Sequence, residues 1–241
     1  MKLLILSDIH ANWPALEAVI HTEGSWDDVA FCGDVVDYGP NPVECVRWVA
    51  QHARYRVRGN HDNALAFDVD CHGRLPLHEA SEATRAWHRT LLAPDDFAFL
   101  RALSTLDWFQ WDGRHFRMSH ATPQGGLFEY LSPHEGEQRV KDLDSDYVLL
   151  GHTHIQDVRR VGHVTIVNPG SVGLNPDGTG SACYAVFDGN RVTLRQVAYD
   201  FGRTITALRS SPLPQPVISQ LESVLRPRLE EIAFGESNVS W

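Results

Sequence analysis

The chain has 241 residues, 43% of them hydrophobic, which is enough for one large domain with a sizeable core. Its 31 Asp and Glu against 21 Lys and Arg give a formal charge of -10, which argues against a long nucleic acid held on a broad basic surface. No apolar run is long enough to cross a bilayer, and Cys32, Cys45, Cys71 and Cys183 match neither a zinc knuckle nor a disulfide framework, so a reducing, cytoplasmic setting is expected.

Strands and helices are predicted to alternate from the start. The short apolar run LLIL (3–6) leads into SDIH (7–10), and helical spacing follows over 14–20, with Pro14 suited to a first turn. DVAFC (28–32) leads into GDVVD (33–37), and a helix is predicted over 42–52 with Val43, Val46, Val49 and Ala50 on one side. YRVR (55–58) leads into GNHD (59–62). Short, continuous aliphatic runs of this kind read as buried strands in a βαβ rhythm.

The rhythm stops over 63–110, where two helices (79–92 and 94–103) and no strand are predicted. This segment reads as a helical cap insertion rich in aromatics (Phe67, Trp87, Phe97, Phe99). Its first residues leave GNHD and are expected near the site, and an aromatic ring there could stack a base. Strands return at 115–118, 147–150, 164–167, 182–187 and 191–198, the last two flanking the hairpin signal Asp188-Gly189-Asn190. Beyond the stiff segment 212–216, a C-terminal helix is expected from the spacing of Val217, Ile218, Leu221, Val224 and Leu225, within an extension over 212–241. The whole reads as a single domain, 1–241.

Metal-liking residues stand where the runs end. They are Asp8, His10, Asp34, Asn60, His120 (after HFRM), and His152 and His154 (in GHTH, after YVLL); NPGS (168–171) ends the run VTIV. The carboxyl ends of neighbouring strands converge on one rim of an open α/β sheet. Two carboxylates, an amide and four imidazoles can there hold two divalent cations side by side, and the two oxygens of Asp34 suit it to bridge them. Mixed nitrogen and oxygen ligation without thiolates suits Mn, Fe or Zn better than Ca.

The series resembles the calcineurin-like metallophosphoesterases, in their bacterial and archaeal phosphodiesterase-like branch. The family pattern is D-x-H, G-D-x-x-D, G-N-H-D/E, a lone H and G-H-x-H. It stands here as Asp8-Ile9-His10, Gly33-Asp34-Val35-Val36-Asp37, Gly59-Asn60-His61-Asp62, His120 and Gly151-His152-Thr153-His154, over roughly residues 1–200. Ala11 and Ala121 replace glycines common in relatives, and no ligand is lost.

The resemblance implies an α/β fold, a four-layer α-β-β-α sandwich of two mixed sheets flanked by helices. It implies one metal on Asp8, His10 and His154, a second on Asn60, His120 and His152, and Asp34 bridging them. The ions would be Mn or Fe, with Ni or Zn as alternatives. His61 would face the phosphoryl group as a catalytic residue, with Asp62 holding it in orientation. Asp37 has either a supporting or a helix-capping role. Asn12 either touches a phosphate oxygen or starts a helix, and Tyr38 either lines the pocket or packs a loop. The implied reaction is hydrolysis of a phosphate ester by a metal-bridging hydroxide. The expected substrate is small or nucleotide-like and a diester. The alternatives are a phosphomonoester or protein phosphatase activity, a dinucleoside polyphosphate hydrolase, and, in another class, a non-catalytic metal-binding scaffold.

Overall fold

The computed structural model describes residues 1–73, 76–131, 133–189 and 191–227. The first part holds β1 (Leu3–Leu6), α1 (Trp13–Glu23), β2 (Asp28–Phe31), α2 (Pro42–His52), β3 (Tyr55–Arg56) and α3 (Asn60–Phe67). Next come α4 (His78–Leu91), α5 (Pro94–Ala102), β4 (Leu106–Trp111), β5 (Arg114–Ser119), α6 (Pro133–Val140) and β6 (Tyr147–Leu149). Then follow β7 (Asp157–Val161), β8 (Val164–Asn168), β9 (Ser181–Phe187), β10 (Val192–Ala198), α7 (Phe201–Arg209) and α8 (Gln215–Leu225).

The strands form two mixed five-stranded sheets, ordered β10-β9-β1-β2-β3 and β4-β5-β6-β8-β7. In the first, β1, β2 and β3 are parallel; in the second, β5, β6 and β8 are. β9 and β10 in the first sheet, and the edge strands β4 and β7 of the second, pair antiparallel. Side chains of a strand alternate between faces, and β1 shows why its run is wholly apolar. Leu3 and Ile5 enter a core between the sheets with Ala30, Phe116, Met118 and Phe187. Leu4 and Leu6 enter a second core with Leu16 and Val19 of α1 and Val46 and Val49 of α2. Each such fully buried side chain stabilises the fold by roughly 1.5–3 kcal/mol. On the far face of the second sheet Val148, Val164 and Ile166 pack on Val140 of α6.

Caps fit the helix starts. The Asn12 side chain accepts from the Ala15 amide at the head of α1, and prolines occupy the first turns of α1, α2 and α5. The 63–110 segment is not free of strands: Leu106–Trp111 is β4, the edge of the second sheet. Its two helices do not form a detached cap. Phe97 and Phe99 pack on the core beneath the first sheet, while α4 joins a cluster with α7 and α8 that includes Ile205, Leu208 and Leu221. The hairpin signal joins β9 to β10 in register Phe187 to Val192, although Asn190 itself lies outside the described residues. The C-terminal helix ends at Leu225, and 228–241 also lie outside them. No described helix is long and apolar enough to cross a membrane.

Candidate active site

The parallel strands of both sheets deliver their carboxyl ends to one rim, and backbone hydrogen bonds lace the loops there. The amides of Asp8, His10 and Ala11 donate to the carbonyls of Gly33, Asp34 and Val35 (2.9, 3.0 and 2.8 Å), and that of Gly151 donates to His120 (2.8 Å). The NPGS segment closes the rim. Asn168 Nδ2 donates to the Gly151 carbonyl (2.7 Å) and Ser171 Oγ to the Asp8 carbonyl (2.7 Å).

Leaving the strands sharply puts several ligands in the left-handed region: Asp8 (φ 53°), His10 (46°), Asp34 (62°), His152 (68°) and His154 (61°). Non-glycine residues are rare there, and each costs of order 1 kcal/mol or more, so the surrounding bonds must hold them. Gly33 and Gly59 let the loops approach. A Cβ on Gly33, itself at φ 102°, would stand 2.6 Å from the Gly59 nitrogen, and one on Gly59 would strike the Asp34 carboxylate.

All seven candidate ligands meet at this rim. The donor atoms of Asp8, His10 and His154 lie within 4.8 Å of one another, as do those of Asp34, His120 and His152. Asp8 Oδ1 stands between the groups, 3.3 Å from His154 Nε2 and 4.0 Å from His120 Nε2. Asn60 Oδ1 lies 3.0 Å from His120 Nε2 and 3.1 Å from His152 Nδ1, and its Nδ2 donates to the Cys71 carbonyl (2.8 Å), which aims the oxygen at the rings.

These side chains fit divalent cations. His10, His120 and His154 each donate Nδ1–H to a backbone carbonyl, of Val36, Cys32 and Leu174 (2.9, 2.8 and 2.8 Å). That fixes each ring's orientation and turns its Nε2 inward, the outer-sphere arrangement metal-bound histidines use. Burial, then the charge of neighbouring histidines, lowers His10 and His152 to about 3, so both are neutral and able to ligate. Burial works against a charged His120, but the Asp34 charge and hydrogen bond outweigh it and raise His120 to about 9. Asp34 is pulled well below the usual carboxylate range: burial opposes this, and the charges of His120 and His61 prevail.

His61 follows Asn60 at the head of α3 and faces a cavity of about 270 Å³. Its Nδ1 donates to Asp37 Oδ2 at 2.8 Å. The orienting role expected of Asp62 therefore falls to Asp37. The Asp62 carboxylate turns away and accepts from the amides of Asp34 (2.8 Å), Val35 (2.8 Å) and Gly59 (3.0 Å), tying GDVVD to GNHD. The geometric reason is that His61 and Asp62 are adjacent on the first helical turn, where neighbouring side chains diverge by about 100°. Burial would disfavour a charged His61, yet Tyr38, Asp34 and the Asp37 hydrogen bond hold it well above the histidine range. In Asp37, burial is outweighed by the His61 hydrogen bond and nearby positive charges, and its pKa is lowered.

The structure corrects Asn12, which lies behind the site with every polar atom engaged. Its Oδ1 caps α1 and accepts from Thr204 (2.9 Å), and its Nδ2 donates to the Gly173 carbonyl (2.8 Å) and the Tyr199 hydroxyl (3.0 Å). Tyr38 does line the cavity, its ring 4.8 Å from that of His10 and 5.0 Å from that of His61. Burial pushes its phenol up to about 12, so it stays neutral. None of Phe67, Trp87, Phe97 and Phe99 lines the cavity; its second aromatic wall is Tyr130. Opposite the polar wall of Asp34, His61, His152, Thr153 and His154, the apolar lining comes from three places: Pro76 and Leu77 before α4, Leu174 and Pro176 after β8, and Val224 of α8.

Residues 1–191 match the family model of the calcineurin-like phosphoesterase superfamily domain, and the chain belongs to that family. It is, with this site, a metal-dependent phosphoric ester hydrolase. A metallophosphoesterase structure from Sphaerobacter thermophilus superposes with a TM-score of 0.77 at 30% identity, covering 92% of this chain and 98% of that one. An uncharacterized protein of Methanocaldococcus jannaschii is 28% identical over 238 residues, 88% of this chain and 94% of that protein. The phosphodiesterase YfcE of Escherichia coli is 27% identical over 203 residues, 78% of this chain and 88% of that enzyme.

Proposed function

We propose that the protein hydrolyses a small or nucleotide-like phosphodiester on a pair of divalent cations, Mn or Fe, with Ni or Zn as alternatives. The observation that carries this reading is the convergence of the Asp8–His10–His154 and Asp34–His120–His152 groups, of which Asp34, His152 and His154 line the same cavity as His61. When bound, two such ions would neutralise phosphoryl oxygens and bring the pKa of a shared water toward neutrality, for in-line attack on phosphorus. Asp34 is the proposed shared ligand. One of its oxygens accepts from the His61 amide (2.9 Å) and the other faces His120 (3.0 Å).

The side chains divide the remaining work. Asp37 holds His61 through Nδ1 and so leaves Nε2 to give a proton to the departing oxygen, the task of a general acid. The Tyr38 hydroxyl, neutral across the physiological range, would meet the ester as a hydrogen-bonding group. The apolar wall of Leu77, Leu174, Pro176 and Val224, with the Tyr130 ring, would receive a ring-bearing ester group. The cavity's size and the -10 charge of the chain support a small substrate over a long nucleic acid. The name of the E. coli relative, a phosphodiesterase, supports a diester over a monoester.

The test is turnover of methyl aryl and bis-aryl phosphodiesters by protein loaded with each metal in turn, in ¹⁸O-labelled water. Two ions per chain at full activity, label in the phosphoryl product, and diesters preferred to the matching monoesters are the expected results. Label in the alcohol, or full activity at one ion per chain, would overturn the mechanism.

A further inference from the structure

We propose that α4 is a positioning helix for the reaction, gripping the turn 37–39 through a buried polar stripe so that Asp37 can orient His61. Ser81, Thr84, Arg85 and His88 follow the i, i+3, i+4, i+7 spacing of one helix face. In an ordinary amphipathic helix the face so buried is apolar. Here Ser81, Thr84 and His88 are fully buried and Arg85 is 8% exposed.

All four side chains hold the same three residues. Ser81 Oγ and Arg85 Nε donate to Asp37 Oδ2 (2.9 and 3.3 Å), the oxygen that also accepts from His61. Thr84 Oγ1 accepts from the Tyr38 amide (2.9 Å). His88 Nδ1 accepts from the Asp37 amide (3.2 Å), and its Nε2 donates to the Gly39 carbonyl (2.8 Å). Arg85 is itself tied down, giving Nη2 to Ser81 Oγ (2.6 Å) and Nη1 to the Val69 carbonyl (3.2 Å).

The held turn is strained, with Asp37 at φ 66° and Tyr38 at φ 64°. Two consecutive non-glycine residues in that region persist only where their surroundings over-determine them. Apolar side chains on the same face of α4 would pack at no polar desolvation cost, but they could not hold this conformation or fix the Asp37 carboxylate. None of the four lines the cavity, so they act through Asp37 and Tyr38, with Ser81 Oγ also 3.3 Å from His61 Nδ1, and not on the substrate.

This inference rests on the reading of His61 as proton donor to the leaving oxygen, and one experiment separates the two. The metal-loaded full chain is assayed on methyl aryl phosphodiesters whose phenols run from good to poor leaving groups. The variants are Arg85→Met, Arg85→Lys, Ser81→Ala and His61→Asn, with bound metal and thermal melting recorded for each. A loosened His61 should matter most where the departing oxygen needs its proton. For Arg85→Met, kcat should fall roughly 30-fold or more on the poorest leaving group and less than about threefold on the best, at nearly constant KM and unchanged metal content, with Arg85→Lys recovering part of the loss.

A fall of equal size across the series, or none, would make α4 a scaffold only and overturn the proposal. Should Arg85→Met not fold, Ser81→Ala gives the same readout by removing one donor from the same oxygen. If His61→Asn steepens the leaving-group dependence while the α4 variants do not, the positioning role fails and the reading of His61 stands. If His61→Asn leaves the dependence unaltered, that reading fails and this inference falls with it.

Discussion

His61 and Asp37 are joined by a 2.8 Å hydrogen bond from Nδ1 to Oδ2, although 24 residues separate them in the chain. The second acid of GDVVD thus serves the third residue of GNHD, and the last acid of GNHD serves the backbone of GDVVD. The two loops are interlocked, and exchanging the roles of their acids would leave both unsupported.

Asp37→Asn should lower kcat on aryl phosphodiesters by about 10²-fold, because His61 loses the negative partner that stabilises and orients its ring. Metal content should stay at the wild-type value, since Asp37 touches no candidate ligand. Steady-state kinetics beside elemental analysis checks both halves. Loss of metal in step with activity would contradict this assignment.

Asp62→Ala should act on stability. Removing the carboxylate orphans three buried amides at once, at a cost of about 3 kcal/mol; Asp62→Asn keeps one acceptor oxygen but sets its NH2 against a buried N–H, so it should spare only part of that cost. Urea unfolding midpoints measure this. The kcat of folded Asp62→Asn should remain within about threefold of wild type, since its side chain does not reach the His61 ring.

Asp34→Asn should remove activity by about 10³-fold or more, the equivalent of about 4 kcal/mol of transition-state stabilisation, and should reduce the metal bound per chain. Elemental analysis after gel filtration, beside a circular dichroism spectrum showing the fold unchanged, provides the check. Two ions retained with wild-type affinity would exclude Asp34 as the shared ligand.

The stability of chelated, metal-free protein should pass through a maximum near pH 6.5. His120, raised to about 9, contributes stability that is fully present below 6.5 and is lost as pH rises toward 9. His10 and His152, lowered to about 3, contribute stability that is present above 6.5 and is lost as pH falls toward 3. Melting temperatures in chelator across this range test the shape. Because a ligating His120 must give up its proton, metal affinity should rise between pH 6.5 and 9, and calorimetry in buffers of different ionisation heat should record proton release.

Much of the site is legible because its ligands follow buried parallel strands. A run such as LLIL at β1 or YVL at β6 has both faces covered, so it is wholly apolar and easily seen, and the polar residues that end it stand out. β7 (DVRRV) carries no such run because an edge strand with a half-exposed face holds charges, and β4 (LDWFQW), also an edge strand, reads as part of the insertion for the same reason. The α4 stripe has no distinct signature in the sequence for the opposite reason. A polar helix face reads as solvated, and nothing local shows that Ser81, Thr84, Arg85 and His88 point inward. Their i, i+3, i+4, i+7 spacing was the available signal, but it gains meaning only with a buried polar partner to hold.

From its amino-acid order alone this protein shows alternating strands and helices and the residues able to ligate metal, because these depend on local runs and on which residue types end them; the two-sheet α/β plan follows from the family resemblance that those motifs carry. Only the folded chain decides that Asp37 and not Asp62 holds His61, that Asn12 is a buried cap, and that Tyr130 and the α8 residue Val224 line the cavity. Those relationships join segments distant in sequence. They are set by how the two sheets and the outer helices pack, and short-range periodicity does not carry that information.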